Sequence, residues 1–289
     1  PAGRGAFHRS FRRRRALRRA ARVRASSTGA SMGPDITDPL FLAAAAAAVL
    51  IAGISKGGFG AGAGFVSTPI LSLVASPEVA VGVLLPLFCV MDLTGLRAYW
   101  GKWSRADAQA LMLGAIPGMA LGAALFAIIP TDGLRLLIGL IALGFVAFQA
   151  ARARGFLGAG AARPFSRARG GFWGMACGFT SFTSHAGGPP VAVYLLPRGL
   201  DKLTYQATTV ILFWFVNAAK LGPYWALGLF GDGQLVAAAW LAPLAVVGFM
   251  AGVWAHKHVP DRLYFQLIHT LLVLTGGKLV WDGAAGLWG

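Results

Sequence analysis

The chain has 289 residues, of which 56% are hydrophobic and only 12% charged, with a mean hydropathy of +0.65. Soluble domains carry about 25% charged residues, so the composition excludes a water-soluble globular protein. The net charge is +16, yet ten arginines and no acid fall within residues 1–24; from residue 32 onward sixteen Lys/Arg stand against ten Asp/Glu, a net +6.

Residues 1–31 read as a disordered basic tail. Such a stretch is an upstream extension or mis-called start ahead of Met32, or else a targeting or anionic-lipid-binding arm. No folded nucleic-acid-binding module accompanies the arginines, so nucleic acid is not an expected partner.

Beyond the tail, eight apolar stretches are long enough to cross a membrane: 38–75, 79–97, 107–129, 133–151, 170–197, 203–229, 234–255 and 262–281. Each can span about 30 Å of hydrocarbon as a helix. Proline, glycine and charge separate them, and Trp100, Trp103, Trp173, Trp254, Trp281 and Trp288 cluster near their ends as interfacial anchors. Cys89 and Cys177 lie inside apolar segments and read as small buried hydrophobes, not as a disulfide framework.

The first segment is interrupted by the glycine-rich run 53–64, which contains Ser55, Lys56, Gly57 and Gly58. The fifth is interrupted by Ser181-Phe182-Thr183-Ser184-His185-Ala186-Gly187-Gly188-Pro189-Pro190. Glycine costs about 1 kcal/mol in a helix interior, so both helices are expected to open there. Opened backbone survives in a bilayer only where protein or a water-lined cavity satisfies it.

The two halves also repeat. Gly64-Phe65 to Pro69 aligns with Gly188-Pro189-Pro190, Pro117 to Gly122 with Pro243 to Gly248, and Pro130 to Leu140 with Pro260 to Thr270, at offsets from 124 to 130. Duplicated segments with matching Gly/Pro interruptions are a pointer to a transporter and to its binding site. The expectation is an all-α polytopic membrane protein: a first transmembrane repeat at 32–151, a cytoplasmic linker at 152–169 and a second repeat at 170–289. The repeats are read as tandem and inverted, four segments each, with the first segment of each broken or re-entrant.

Charge decides between two arrangements. If all eight segments cross once, Arg198, Lys202, Lys257 and Arg262 fall on the side opposite the linker, against the positive-inside rule. If 38–75 and 170–197 dip in and return, the loops at 97–105, 152–169, 198–202 and 257–262 share one side and carry twelve Lys/Arg. The second arrangement is preferred, and it leaves both ends of the body outside.

Gly57-Gly58-Phe59-Gly60, Gly187-Gly188-Pro189-Pro190, and Asn217-Ala218-Ala219-Lys220 followed by Tyr224 and Gly228 resemble the TauE/SafE family. That family is also described as sulfite exporters or the sulfonate uptake permease group, and the resemblance runs over most of residues 35–285. It implies secondary transport of small sulfur-containing anions or organic acids across the cell (inner or plasma) membrane, with substrate and direction varying.

Ionisable groups inside spans are costly and usually functional. Here they are Lys56, Asp92, His185, Lys220, His269 and Lys278. An oxyanion is bound by cations, hydroxyls and free backbone N–H groups at a restarting helix. The expected substrate-binding set is Lys56, Gly57, Gly58, Ser181, Thr183, Ser184, His185, Gly187, Gly188, Asn217 and Lys220. Against this stands a structural reading, in which the glycines permit close helix packing and Lys56 snorkels. Asn217 and Lys220 read equally as a hydrogen-bonded pair joining the repeats.

Asp92 is a candidate neutraliser of Lys220 or Lys56, or a coupling-proton carrier. His269 reads as a satisfied helix histidine, Lys278 with Asp282 as an i,i+4 pair, and His256-Lys257-His258 as solvated interface rather than a metal site. No metal or cofactor is expected. The chain lacks a Walker loop, Gly-x-Ser-x-Gly, His-Glu-x-x-His and paired carboxylates, and Glu78 is its one glutamate, so enzyme chemistry is poorly supplied. An anion channel or membrane scaffold is the alternative to a transporter. A homo-oligomer is left open.

Overall fold

The computed structural model describes residues 38–59, 64–155 and 163–289. The basic stretch 1–31 and the middle of the 152–169 linker lie outside the described residues, as do the side chains of His256 and Lys257. Among the described residues the secondary structure is helical throughout, with no strand.

The helix starts follow from local chemistry. Helix α1, Pro39–Ile54, is capped by Asp38, whose carboxylate accepts from the Leu40 N–H, and proline fills its first turn. It widens into a π turn at Ser55–Phe59. A 3-10 turn at Gly64–Val66 then leads into the short α2, Ser67–Ser72. Helices α3 (Pro77–Tyr99) and α4 (Arg105–Ile128) are capped by the hydroxyls of Ser76 and Ser104, and α5 follows at Thr131–Ala153. Ser166 caps α6, Arg167–Ser184, which stops at His185; α7, Gly188–Leu195, restarts with proline in its first turn. Asp201 caps α8, Lys202–Ala226, and α9 (Asp232–His258) and α10 (Asp261–Trp288) complete the bundle.

Helices cover the predicted segments, and the first and fifth are broken at their glycine-rich runs, but the helices at 170–197 and 203–229 are not among those long and apolar enough to cross a membrane. The last segment runs seven residues further than expected, to Trp288. Lys278 donates to Asp282 one turn on, so the charges that seemed to end the apolar run instead brace the helix. Six helical stretches are long and apolar enough to cross a membrane: Pro39–Gly58, Pro77–Arg97, Arg105–Ile128, Thr131–Ala153, Asp232–Ala255 and Arg262–Trp288. Large apolar side chains such as Leu121, Ile128, Trp240, Leu274 and Trp281 are exposed on the outside, a surface suited to lipid and not to water.

Packing couples the halves crosswise. Helix α4 lies on α6, α9 on α1, α5 on α10 and α3 on α8. Glycine sets three of these approaches, among them that of α5 on α10 through Gly139 and Gly283. A Cβ at Gly114 or Gly118 would strike the carbonyls of Gly171 and Met175, and one at Gly174 or Gly178 those of Leu111 and Ala115. Across α1 and α9, Gly58 lies against the Gly252 carbonyl and Gly252 against that of Ile54. Lipid supplies no hydrophobic drive between helices, so such backbone approach, with its dispersion contacts, is what holds them together. In the α4–α6 and α1–α9 pairs the residue numbers rise together (Gly114 with Gly171, Gly118 with Met175; Gly53 with Gly248, Gly58 with Gly252), so those paired helices run parallel.

The loops sort to two ends. At one, the Ser104 N–H donates to Thr208 Oγ1 at 3.0 Å, Arg198 Nε to Asp107 Oδ1 at 2.9 Å and Arg198 Nη1 to the Arg163 carbonyl at 2.7 Å. Tyr194, in the last turn of α7, donates to Asp107 Oδ1 at 2.7 Å and reaches the Ser166 carbonyl ahead of α6 at 3.5 Å. The α6–α7 pair therefore returns to the end where it began. At the far end of α4, Thr131 Oγ1 donates to Glu78 Oε1 at 3.0 Å, and Gly82 lies against the Leu229 carbonyl just ahead of α9.

Candidate functional site

Two polar clusters face one another at the middle of the bundle. The first joins the π turn, α3 and α8. Lys56 Nζ lies 2.5 Å from Asp92 Oδ1, and Asn217 Nδ2 donates to Asp92 Oδ2 at 2.6 Å. Lys56 also donates to the Phe88 carbonyl at 3.4 Å and sits 4.7 Å over the Phe88 ring. Both carboxylate oxygens of Asp92 are thus occupied by donors from different elements. A π turn is the local reason Lys56 reaches α3: one extra residue rotates the side chain off the α-helical face.

The second cluster joins α8 to the end of α6. Lys220, fully buried, donates to the Ser181 carbonyl and Ser181 Oγ, each at 3.1 Å, and lies 2.9 Å from His185 Nδ1. His185 Nε2 is 3.2 Å from the Val81 carbonyl. A carbonyl only accepts, so Nε2 carries the hydrogen, Nδ1 is the acceptor and the imidazole is neutral. Lys220 then meets three acceptors, the full complement of an ammonium group. Ser181 Oγ accepts from Lys220, and its own proton is left to donate elsewhere. His185 holds this geometry from the left-handed region at φ 56°, where it ends α6; no other non-glycine residue among those described has positive φ. Such a backbone costs roughly 1–2 kcal/mol and persists where its surroundings enforce it.

Between the clusters lies a small cavity, lined by Lys56, Gly64, Phe65, Phe88, Ser181, His185, Phe213 and Asn217. Phe88, Phe213 and Phe65 belong one each to the three buried apolar clusters of the bundle, so the cavity sits where these meet. Its rings are close, with Phe88 and His185 centroids 4.8 Å apart. The lining also pairs across the halves at a constant separation: Lys56 with Ser181 and Phe88 with Phe213 are each 125 positions apart. Asp92 and Asn217, hydrogen-bonded to each other, have the same separation.

Of the residues singled out in the sequence, Lys56, Ser181, His185 and Asn217 meet at the cavity, with Asp92 and Lys220 directly behind them. The others are placed differently. Thr183 and Ser184 turn their hydroxyls back onto carbonyls of α6, to Phe179 at 3.1 Å and Thr180 at 3.0 Å. Gly57 and Gly58 lie against the backbone of Phe249 and Gly252, the close-packing role that the sequence also allowed. Gly187 is enclosed by Cys177, Phe213 and Ser181, where an added Cβ would come within 2.9 Å of the Cys177 sulfur; Gly188 begins α7. Neither lines the cavity.

Asp92 neutralises Lys56 and not Lys220. His269 was expected to be satisfied, but its buried Nε2 has no hydrogen-bond partner among the described residues, because its ring faces Phe145 and Phe265. His258 bonds the Trp254 carbonyl and stacks on the Trp254 ring. Sequence reasoning missed the aromatic walls Phe65, Phe88 and Phe213. The 125-residue spacing of Phe88 and Phe213 was the signal that could have found two of them. It also missed Thr180, whose hydroxyl donates to the Ala186 carbonyl at 2.8 Å and ties the two sides of the break together.

A family model described as Sulfite exporter TauE/SafE matches residues 45–279, most of the chain. No curated protein and no solved structure matches it.

Proposed function

The chain belongs to the sulfite exporter TauE/SafE family of membrane transporters, and from that premise we propose that it is a secondary transporter carrying a small sulfur-containing anion, such as sulfite, thiosulfate or an organosulfonate, or an organic acid, across the cell membrane. The observation that carries the site assignment is Lys220. It is a fully buried lysine in an ammonium's hydrogen-bonding arrangement, without a carboxylate partner, directly behind a cavity that Lys56, Ser181, His185 and Asn217 line. Burying an unpaired ion costs several kcal/mol, and an anionic ligand offsets that cost.

The packing supports an inverted-repeat reading. The broken helix of each half runs parallel to the third helix of the other half, and α4 and α9 start at opposite ends of the bundle. The bond from Arg198 to Asp107 supports the re-entrant arrangement, since it joins the 198–202 loop to the end that holds the linker and the 97–105 loop. With the positive-inside rule, that end is cytoplasmic. Asp92 is committed through both oxygens to Lys56 and Asn217, which supports a counter-ion role over that of a proton carrier.

The test is flux of sulfite, thiosulfate, sulfoacetate and a carboxylate into proteoliposomes holding the full chain, its Ser181→Ala variant and its Lys56→Met variant. Saturable anion flux that falls at least about tenfold in both variants supports the site. Flux that does not saturate makes the protein a channel. Unchanged flux in both variants removes the cavity as the binding site.

A further inference from the structure

The two halves contribute charge to the cavity unequally. Lys56 in the first half corresponds to Ser181 in the second, Asp92 to Asn217, and Lys220 to Gly95, each pair 125 positions apart. Each half therefore supplies one lysine, but only the first supplies a carboxylate. Asp92 is spent on Lys56 at 2.5 Å and on Asn217 at 2.6 Å. Lys220 touches only neutral groups, Ser181 and His185. The imidazole of His185 has one nitrogen bonded to a carbonyl and the other to Lys220, so it adds no charge.

With both lysines protonated, the site holds two ammonium groups and one carboxylate, a net charge of one. Lys56 and Asn217 line the cavity from one cluster and the Ser181 hydroxyl, backed by Lys220, from the other. The rings of Phe65, Phe88 and Phe213 complete the lining, with Phe88 beside both Lys56 and His185.

We infer that the site selects a small monoanion and discriminates against dianions. Asp92 is the residue that sets this charge selectivity. The inference rests on the transport reading above. In a buried site of low effective dielectric, a dianion leaves one charge uncompensated, and that charge is not screened as it is in water. Removing Asp92 raises the site to a net charge of two and suits it to a dianion. Lys220 acts as a positioning residue. All three of its N–H groups are taken, so it orients the Ser181 hydroxyl and supplies charge from behind without touching the ligand.

The experiment measures proteoliposome flux of methanesulfonate and ethanesulfonate against sulfate, thiosulfate and 1,2-ethanedisulfonate, for the wild type and for Asp92→Asn, Lys220→Met and Lys220→Arg. In the wild type, monoanion flux should exceed dianion flux by about tenfold or more. Asp92→Asn should shift that ratio toward dianions by about tenfold, Lys220→Met should abolish flux, and Lys220→Arg should restore part of it with the ratio preserved. Equal wild-type flux of the two charge classes overturns the inference, and this comparison needs no variant to fold. A correctly folded Asp92→Asn with an unchanged ratio also overturns it. If the wild type carries no anion at all, the transport reading falls and this inference with it, whereas flux without charge discrimination removes the inference alone.

Discussion

Lys220 Nζ lies 2.9 Å from His185 Nδ1, and this contact joins the one buried, carboxylate-free lysine at the cavity to the one left-handed side-chain-bearing residue among those described. The Val81 carbonyl and the lysine together fix the imidazole's tautomer, and the imidazole ends α6 where its chain must break. Site chemistry and helix termination are therefore carried by the same side chain.

Substitutions at position 185 should separate these two roles. Asparagine tolerates positive φ and retains an acceptor, so His185→Asn should keep more flux and more thermal stability in detergent than His185→Ala. His185→Val should be the least stable, since a β-branched residue is most strained in that region, by about 1–2 kcal/mol or more. Equal stability of the three would remove backbone strain from the account.

Glycine substitutions should divide by what the missing Cβ meets. Gly118→Leu drives a side chain into the backbone of Met175 and should lower unfolding stability by about 3 kcal/mol or more. Gly144 has open space around it, and Gly144→Ala should stay within about 0.5 kcal/mol of wild type. Thermal unfolding in one detergent checks both.

The Arg198–Asp107 pair should matter far more than Lys278–Asp282. Asp107 is fully buried and also holds Tyr194 and Ser104, so Arg198→Ala leaves its carboxylate underpaired and should destabilise by about 3 kcal/mol. The Lys278 side chain is 59% exposed, and Lys278→Ala should cost less than about 1 kcal/mol. Comparable losses in chemical denaturation would contradict the assignment.

Sidedness is open to a direct assay. With Cys89 and Cys177 replaced by alanine, Leu200→Cys and His258→Cys should react with a membrane-impermeant thiol reagent from the same side, and Asp232→Cys from the other. Opposite labelling of positions 200 and 258 would sink the inverted arrangement.

The sequence by itself determined the class of protein and the location of its breaks. Apolar run length and glycine cost are local quantities, so the helix openings at Lys56 and His185 and the duplication of the two halves can be read along the chain. Lys56, Ser181, His185 and Asn217 stand out for the same reason: a polar group in an apolar segment is visible without knowing its neighbours. Only the tertiary structure decided which of those groups meet. Thr183 and Ser184 satisfy themselves on their own helix, and Gly57 and Gly58 are used up by backbone packing against α9. Asp92 finds Lys56 and leaves Lys220 without a carboxylate. Pairing between charges, and the apolar walls that face them, depend on which helix faces cross, and crossing is set by contacts between residues more than a hundred positions apart.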